Sequence, residues 1–156
     1  MIKNFDEKIF DEVININLIQ TSKFMSHLVK KDKINDYGSI VAISSISGFK
    51  MAFNFNYAYS ISKAGLKAMV ESLACELSSK SIRVNSIAPG MVNTPLREKL
   101  NHDDYFTKID KSKYLLGKRY ANPKEISDVI NFLLSNTSSF ITGQTIIVDG
   151  GFTLTK

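Results

Sequence analysis

Gly38-Ser39-Ile40-Val41-Ala42-Ile43-Ser44-Ser45, followed after a loop by Tyr59-Ser60-Ile61-Ser62-Lys63, is the stretch that decides the fold. The first run is short, continuous and β-branched. That is the pattern of a parallel strand covered on both faces. It ends in serines, then Ile46-Ser47-Gly48 and a loop, Lys50 to Asn56, rich in aromatics and asparagine. In open α/β sheets ligands bind beyond the carboxyl ends of the strands, where Ser44 and Ser45 fall. Serines at a strand end also serve simply as turn formers. The second run opens a helical pattern expected over 57–79. Residues four apart share a helix face, so the phenol of Tyr59 and the ammonium of Lys63 sit side by side. A neighbouring cation lowers a tyrosine pKa from its usual ~10 and suits it to proton transfer. The plain alternative is a surface pair.

Working outward, Ser81-Ile-Arg-Val-Asn-Ser-Ile-Ala88 reads as a second buried strand, stopped by Pro89-Gly90. Met91 to Thr94 continues outward, and Pro95 can start a short helix over 96–100. Residues 101–118 are polar and mixed, and long enough to form a lid or substrate loop. Asn122-Pro123-Lys124-Glu125 is a helix start, with an Asn cap, Pro in the first turn and Glu shortly after. That helix is expected to reach Ser135, burying Ile126, Val129, Ile130 and Leu133. Thr142 to Val148 reads as the last strand, ended by Asp149-Gly150-Gly151.

Upstream, residues 5–31 read as one helix, with Phe10, Ile14, Leu18, Phe24 and Leu28 at helical spacing. Asn17 interrupts this stripe. Asparagine is a poor mid-helix residue because its side chain competes for backbone groups. It is either a tolerated solvent-side residue or one whose amide or loosened backbone has a task. Residues 32–37 form a polar loop. Ala64, Gly65 and Ala68 are small and permit close approach of another element. Strands alternating with helices imply a parallel sheet with right-handed crossovers. The expectation is α/β: about three strands, with 81–88 in the centre, forming part of a doubly wound sheet in a single domain, 1–156.

The 156 residues suffice for one domain with a real core. A net charge of +5, with scattered lysines and no aromatics within Lys30 to Lys33, points away from nucleic acid. Cys75, at an apolar-face spacing, is expected to be a buried inert thiol. His27 and His102 stand apart, without metal-ligand spacing. The N-terminus lacks an apolar h-region, and no apolar run approaches a membrane span, so a cytoplasmic protein is expected.

These stretches together resemble the short-chain dehydrogenase/reductase family, from about Phe10 to Phe152. Tyr59 and Lys63 match its Tyr-x-x-x-Lys helix. Ile43, Ser44, Ser45 and Gly48 match the strand exit before it. Arg83 to Asn85, then Pro89, Gly90, Val92 and Thr94, match the segment after it. Asn17-Leu18 and Thr142 to Gly151 match the outer motifs. The resemblance implies a nicotinamide cofactor, NAD or NADP, and a small carbonyl or alcohol substrate. Tyr59 would donate or remove the proton at the substrate oxygen. Lys63 would lower its pKa and hold the nicotinamide ribose. Ser45 would hydrogen-bond the substrate oxygen, and Asn17 would hold a water linking Lys63 to solvent. Pro89, Gly90, Val92 and Thr94 would line the nicotinamide. In feel the motifs are nearest to reductases of 3-oxoacyl thioesters and to sugar or polyol dehydrogenases.

The family's opening strand, glycine-rich turn and helix, which cradle the pyrophosphate, are missing, as is the following Asn-Asn-Ala-Gly strand. The eight glycines include no such cluster. The expectation is an N-terminally truncated oxidoreductase completed by further chain. The alternatives are an inactive remnant that oligomerises with a full-length relative, and a ligand-binding protein without turnover. Assembly as a homo-oligomer or with a full-length relative follows from the bare outer edge of strand 38–45. The helices 5–31 and 57–79 are a second reason, since in the family they pack against their copies.

Overall fold

The computed structural model describes residues 5–51, 53, 56–95 and 111–155. Its first helical pass has three parts. Helix α1, Glu7–Ile14, is capped by Asp6, whose carboxylate accepts from the Ile9 amide at 3.1 Å. A π-helical segment follows over Asn15–Gln20, then α2 over Thr21–Lys30. The expected single helix is thus continuous but widened around Asn17. Thr21 Oγ1 donates to the Asn17 carbonyl at 3.0 Å inside this stretch. Phe24, expected on the buried stripe, is exposed. The buried position of α2 is Met25.

Strand β1 is Ser39–Ile43, helix α3 is Tyr57–Glu76 and strand β2 is Arg83–Pro89. Helix α4, Pro123–Leu134, leads to strand β3, Thr145–Val148. The sheet has the order β1-β2-β3, all parallel, with β2 in the centre as expected. Ser39 aligns with Arg83, and Ser86 with Thr145.

Side chains alternate across a strand, so each face gets its own cover. Ile40, Ala42 and Val84 meet Val70, Ala74 and Leu77 from α3 and its exit. Val41, Ile87 and Ile146 meet Ile126, Val129 and Leu133 of α4. Val84 and Ile87 are fully buried; each such side chain stabilises the fold by about 1.5–3 kcal/mol. A third cluster, Ile46, Ala88, Tyr114, Tyr120 and Phe152, packs under the loops at the carboxyl end of the sheet.

Three expectations shift. The last strand begins at Thr145 rather than Thr142, because side chains replace the ladder ahead of it. Thr142 Oγ1 accepts from the Val84 amide at 3.1 Å, and Asn85 holds the Ile141 carbonyl at 2.8 Å and the Gln144 amide at 3.0 Å. Helix α3 stops at Glu76, followed by a 3-10 turn, Ser78–Lys80. Cys75 is exposed, because α3 buries the Leu66-Val70-Ala74 stripe beside it.

Arg83 is buried at the start of β2. Its guanidinium donates to the carbonyls of Leu133 at 2.7 Å and Ser135 at 3.0 Å, satisfying groups that a helix end leaves without partners. The helix over 96–100 and the first ten residues of 101–118 lie outside the described residues. Of the remainder, Tyr114 is core rather than lid. Among the described residues no helix is long and apolar enough to cross a membrane.

Candidate active site

The site forms where β1 ends against the first turns of α3. Ser44 turns inward and donates to the Lys63 carbonyl at 2.9 Å. Ser45 caps the short turn Ile46–Gly48, its hydroxyl accepting from the Ser47 amide at 3.2 Å. Gly48 lies directly on α3. A Cβ there would stand 2.6 Å from Ala64 N and from the Lys63 carbonyl carbon, so no side chain fits. Further along, Ser47 Oγ lies 3.0 Å from Ser60 Oγ and accepts from Asn56 Nδ2 at 2.7 Å. These contacts lash the turn carrying Tyr59 and Lys63 to the strand exit.

The Tyr59 hydroxyl faces the Ser45 side chain, close enough for that hydroxyl to act on its pKa. Lys63 Nζ lies 5.5 Å from the centre of the Tyr59 ring and donates to the Ile43 carbonyl at 2.9 Å. Ser45, Tyr59 and Lys63 are therefore brought together. Asn17 stands behind them: its Nδ2 donates to Ser62 Oγ at 3.1 Å, and Ser62 Oγ donates to the Tyr59 carbonyl at 2.7 Å. Gly65 permits this approach, since a Cβ there would meet Leu18 Cδ2 at 2.5 Å. The loosened backbone at Asn17 is the π segment, a distortion frequent at functional sites.

One electrostatic expectation is corrected. Burial pushes the Tyr59 phenol above its ordinary 10.0, and the neighbouring Ser45 hydroxyl offsets this only partly. Lys63 stands over the ring face, with an N–H donated to the Ile43 carbonyl. Burial pushes Lys63 itself below its ordinary 10.5. As folded here, the pair does not draw the phenol toward neutral pH.

Pro89, Gly90, Val92 and Thr94 leave the same carboxyl edge from the neighbouring strand, β2. Gly90 N donates to the Val148 carbonyl at 3.0 Å, and a Cβ at Gly90 would press on Asp149 Cβ at 3.0 Å. Val92 pairs with Ala121 in a parallel bridge, and Tyr114 Oη accepts from the Met91 amide at 3.2 Å. Thr94 follows, half-buried. The segment Pro89 to Thr94 is thus tied to Val148, Tyr114 and Ala121.

Sequence reasoning missed the polar lashing by Asn56, Ser60 and Ser62. Serines recurring inside a helix, where they are indifferent formers, were its only signal. It also missed Asp149, whose carboxylate accepts from Gly151 N at 2.9 Å and Thr153 N at 2.8 Å, shaping the turn after β3.

The family model described as Enoyl-(Acyl carrier protein) reductase matches residues 1–153. The chain belongs to the short-chain dehydrogenase/reductase family. It is 39% identical over 151 residues to a 3-oxoacyl-[acyl-carrier-protein] reductase of Rickettsia bellii, covering 96% of this chain and 59% of that one. With the corresponding reductase of Thermotoga maritima it shares 38% over 159 residues, covering 99% and 61%. A solved 4-hydroxyisoleucine dehydrogenase complexed with NADH superposes with a TM-score of 0.86 at 33% identity, covering 99% of this short-chain dehydrogenase/reductase and 63% of that chain. The chain spans about three-fifths of the length of these relatives.

Proposed function

We propose that this chain carries the proton-transfer and nicotinamide-facing part of an oxidoreductase that interconverts a carbonyl and an alcohol. The observation that carries the reading is the juxtaposition of Tyr59, Ser45 and Lys63 at the carboxyl edge of the sheet, with Lys63 Nζ 5.5 Å from the Tyr59 ring centre and 2.9 Å from the Ile43 carbonyl. In this reading Tyr59 delivers a proton to the substrate oxygen or removes it, while Ser45 hydrogen-bonds the same oxygen and fixes its position. Lys63 holds the nicotinamide ribose once the cofactor is present, and its ammonium then favours the phenolate. Asn17 steadies this turn through Ser62 and positions a water toward Lys63.

The exit of β2 fits the nicotinamide end of NAD or NADP. Pro89 and Gly90 would line the nicotinamide, and Val92 and Thr94 would hold the carboxamide. The cofactor supplies the hydride. The starts of α1 and α4 do not fit its pyrophosphate. Helix α1 opens on the Asp6 carboxylate, and α4 opens on a capping box closed by Glu125. An anion there would meet like charge.

A 3-oxoacyl thioester is the substrate class this reading favours, on the likeness to the two reductases above. The same reading places the enzyme in the cytoplasm, consistent with Cys75 as a free thiol. It also includes assembly with further chain, as a homo-oligomer or with a full-length relative. The face of α3 with Ile61, Ala64 and Ala68 stays open for it. A second reading, an inactive remnant, draws on the position of Lys63, which serves Ile43 rather than the phenol.

The test is NADH and NADPH oxidation with acetoacetyl-CoA. The chain alone should show no turnover and no low-micromolar cofactor binding. Co-expressed with the part of the Thermotoga maritima reductase that has no counterpart here, it should turn over. A purified complex that binds cofactor and remains inactive would overturn the reading in favour of the remnant.

A further inference from the structure

We infer that Arg119 and Glu125 are positioning residues. Together they clamp the peptide groups on both sides of Ala121, and through Ala121 they aim the backbone of Val92 at the nicotinamide. The aim rests on the reading of the site given above; the clamp does not.

Beyond β2 the chain is paired at Ala121. Ala121 N donates to the Met91 carbonyl at 3.0 Å, and Asn93 N donates to the Ala121 carbonyl at 2.8 Å. In this parallel bridge both bonds go to the neighbours of Val92. The N–H and C=O of Val92 itself therefore face away from Ala121. One donor and one acceptor side by side suit a carboxamide, which both accepts and donates. Where they point is set by where Ala121 is held.

Ala121 is held through its two neighbours. The Tyr120 carbonyl accepts from Arg119 Nη1 at 3.1 Å, and the Asn122 amide donates to Glu125 Oε2 at 2.8 Å. The two side chains that grip these groups are joined to each other. Arg119 Nη1 and Nη2 donate to Glu125 Oε2 and Oε1, each at 2.7 Å. Glu125 belongs to the first turn of α4, whose Ile126 and Leu133 are buried against the sheet, so the clamp is anchored on a packed element. The Tyr120 ring adds a second tie. It meets the Tyr114 ring edge-on at 5.6 Å, and Tyr114 Oη accepts from the Met91 amide at 3.2 Å. The Arg119 and Glu125 side chains are 48% and 44% exposed. An ion pair this open to water contributes modestly to stability; what the two-point contact adds is direction.

The test follows hydrogen exchange at the Ala121 and Asn93 amides, the two donors of the bridge, on the 156-residue chain. R119M should speed both at least threefold. The Ser86 amide, which donates to the Gln144 carbonyl at 2.8 Å, should keep its rate. R119K retains the charge but cannot fork both carboxylate oxygens and reach the Tyr120 carbonyl as well. It should behave like R119M, and it serves in its place should R119M fail to fold. Unchanged exchange at Ala121 and Asn93, equal acceleration at Ser86, or wild-type rates in R119K would overturn the clamp. The aim is read by calorimetry on the chain co-expressed with the unmatched part of the Thermotoga maritima reductase. There R119K should weaken NADH or NADPH at least threefold and leave unchanged the binding of the ADP-ribose part, which lacks the nicotinamide ring. An equal loss for both ligands, or no loss for either, would overturn the aim. A wild-type complex that binds neither dinucleotide sinks the reading of the site and the aim with it, while the exchange rates still decide the clamp.

Discussion

Alanine at Gly48 drives a methyl group into backbone that cannot yield. The added Cβ would stand 2.6 Å from Ala64 N and from the Lys63 carbonyl carbon, both within α3. Relief requires the strand exit and the helix to separate, which strains the Ser44–Lys63 and Ser47–Ser60 contacts. Overpacking of this kind costs about 1–3 kcal/mol. Removing a glycine from the unfolded chain returns about 0.4–1 kcal/mol. The net expectation is about 1–2 kcal/mol of destabilisation, or roughly 2–8 °C in Tm for a chain of this size. Gly65 is the control. Its added Cβ meets Leu18 Cδ2 at 2.5 Å, the tip of a rotatable side chain. Alanine within a helix also gains about 1 kcal/mol over glycine. G65A should therefore be near neutral. Thermal melts of both variants by circular dichroism decide the matter. Equal Tm values for G48A and wild type, or a larger loss in G65A than in G48A, would refute the close packing that holds Lys63 in place.

Asn85 is fully buried and serves the Ile141 carbonyl and the Gln144 amide. N85L should cost about 2–5 kcal/mol in urea unfolding, since both backbone groups lose their partner, and an unchanged midpoint would contradict that. Arg119 forks Glu125 at 2.7 Å on each oxygen and, with the Asn122 amide, lowers its carboxyl from 4.5 to about 2. A depressed carboxyl stabilises the fold above its unfolded pKa and loses that effect as pH falls. The melting difference between wild type and E125Q should therefore be present at pH 7 and vanish between 4.5 and about 2. Tyr59 should titrate above 10.0 in the isolated chain, followed by the carbon resonance of its labelled ring, and S45A should move it higher still. Its contribution to stability is whole below 10.0 and lost as pH rises through the higher folded value. A phenol titrating below 10.0 would show that Lys63 already acts on it.

Much of the fold was legible because its signals are local and repeated. The β-branched runs around Val41 and Val84, and the Asn122-Pro123 helix start, report directly on strand and cap chemistry. The misplaced parts depend on partners distant in sequence. Thr142 to Gln144 drop out of β3 because Asn85 and Thr142 side chains substitute for the ladder, 56 to 59 residues apart along the chain. Phe24 and Cys75 were assigned inward from spacing alone, while the widened turn at Asn15–Gln20 and the buried Leu66-Val70-Ala74 stripe settle them outward. The site was legible as a set of residues: Asn17, Ser45, Tyr59 and Lys63 are drawn to one place. Its electrostatics were not. Spacing four puts Lys63 beside Tyr59, but the free carbonyl of Ile43, a property of sheet order, decides where the ammonium goes.

The most direct measurement is the turnover of Y59F in the completed complex, with NADPH or NADH and acetoacetyl-CoA. A positioned acid or base contributes about 10²–10⁴-fold. The account predicts a fall in kcat of that size, with cofactor binding by fluorescence titration unchanged. A Y59F complex turning over within tenfold of wild type would contradict it.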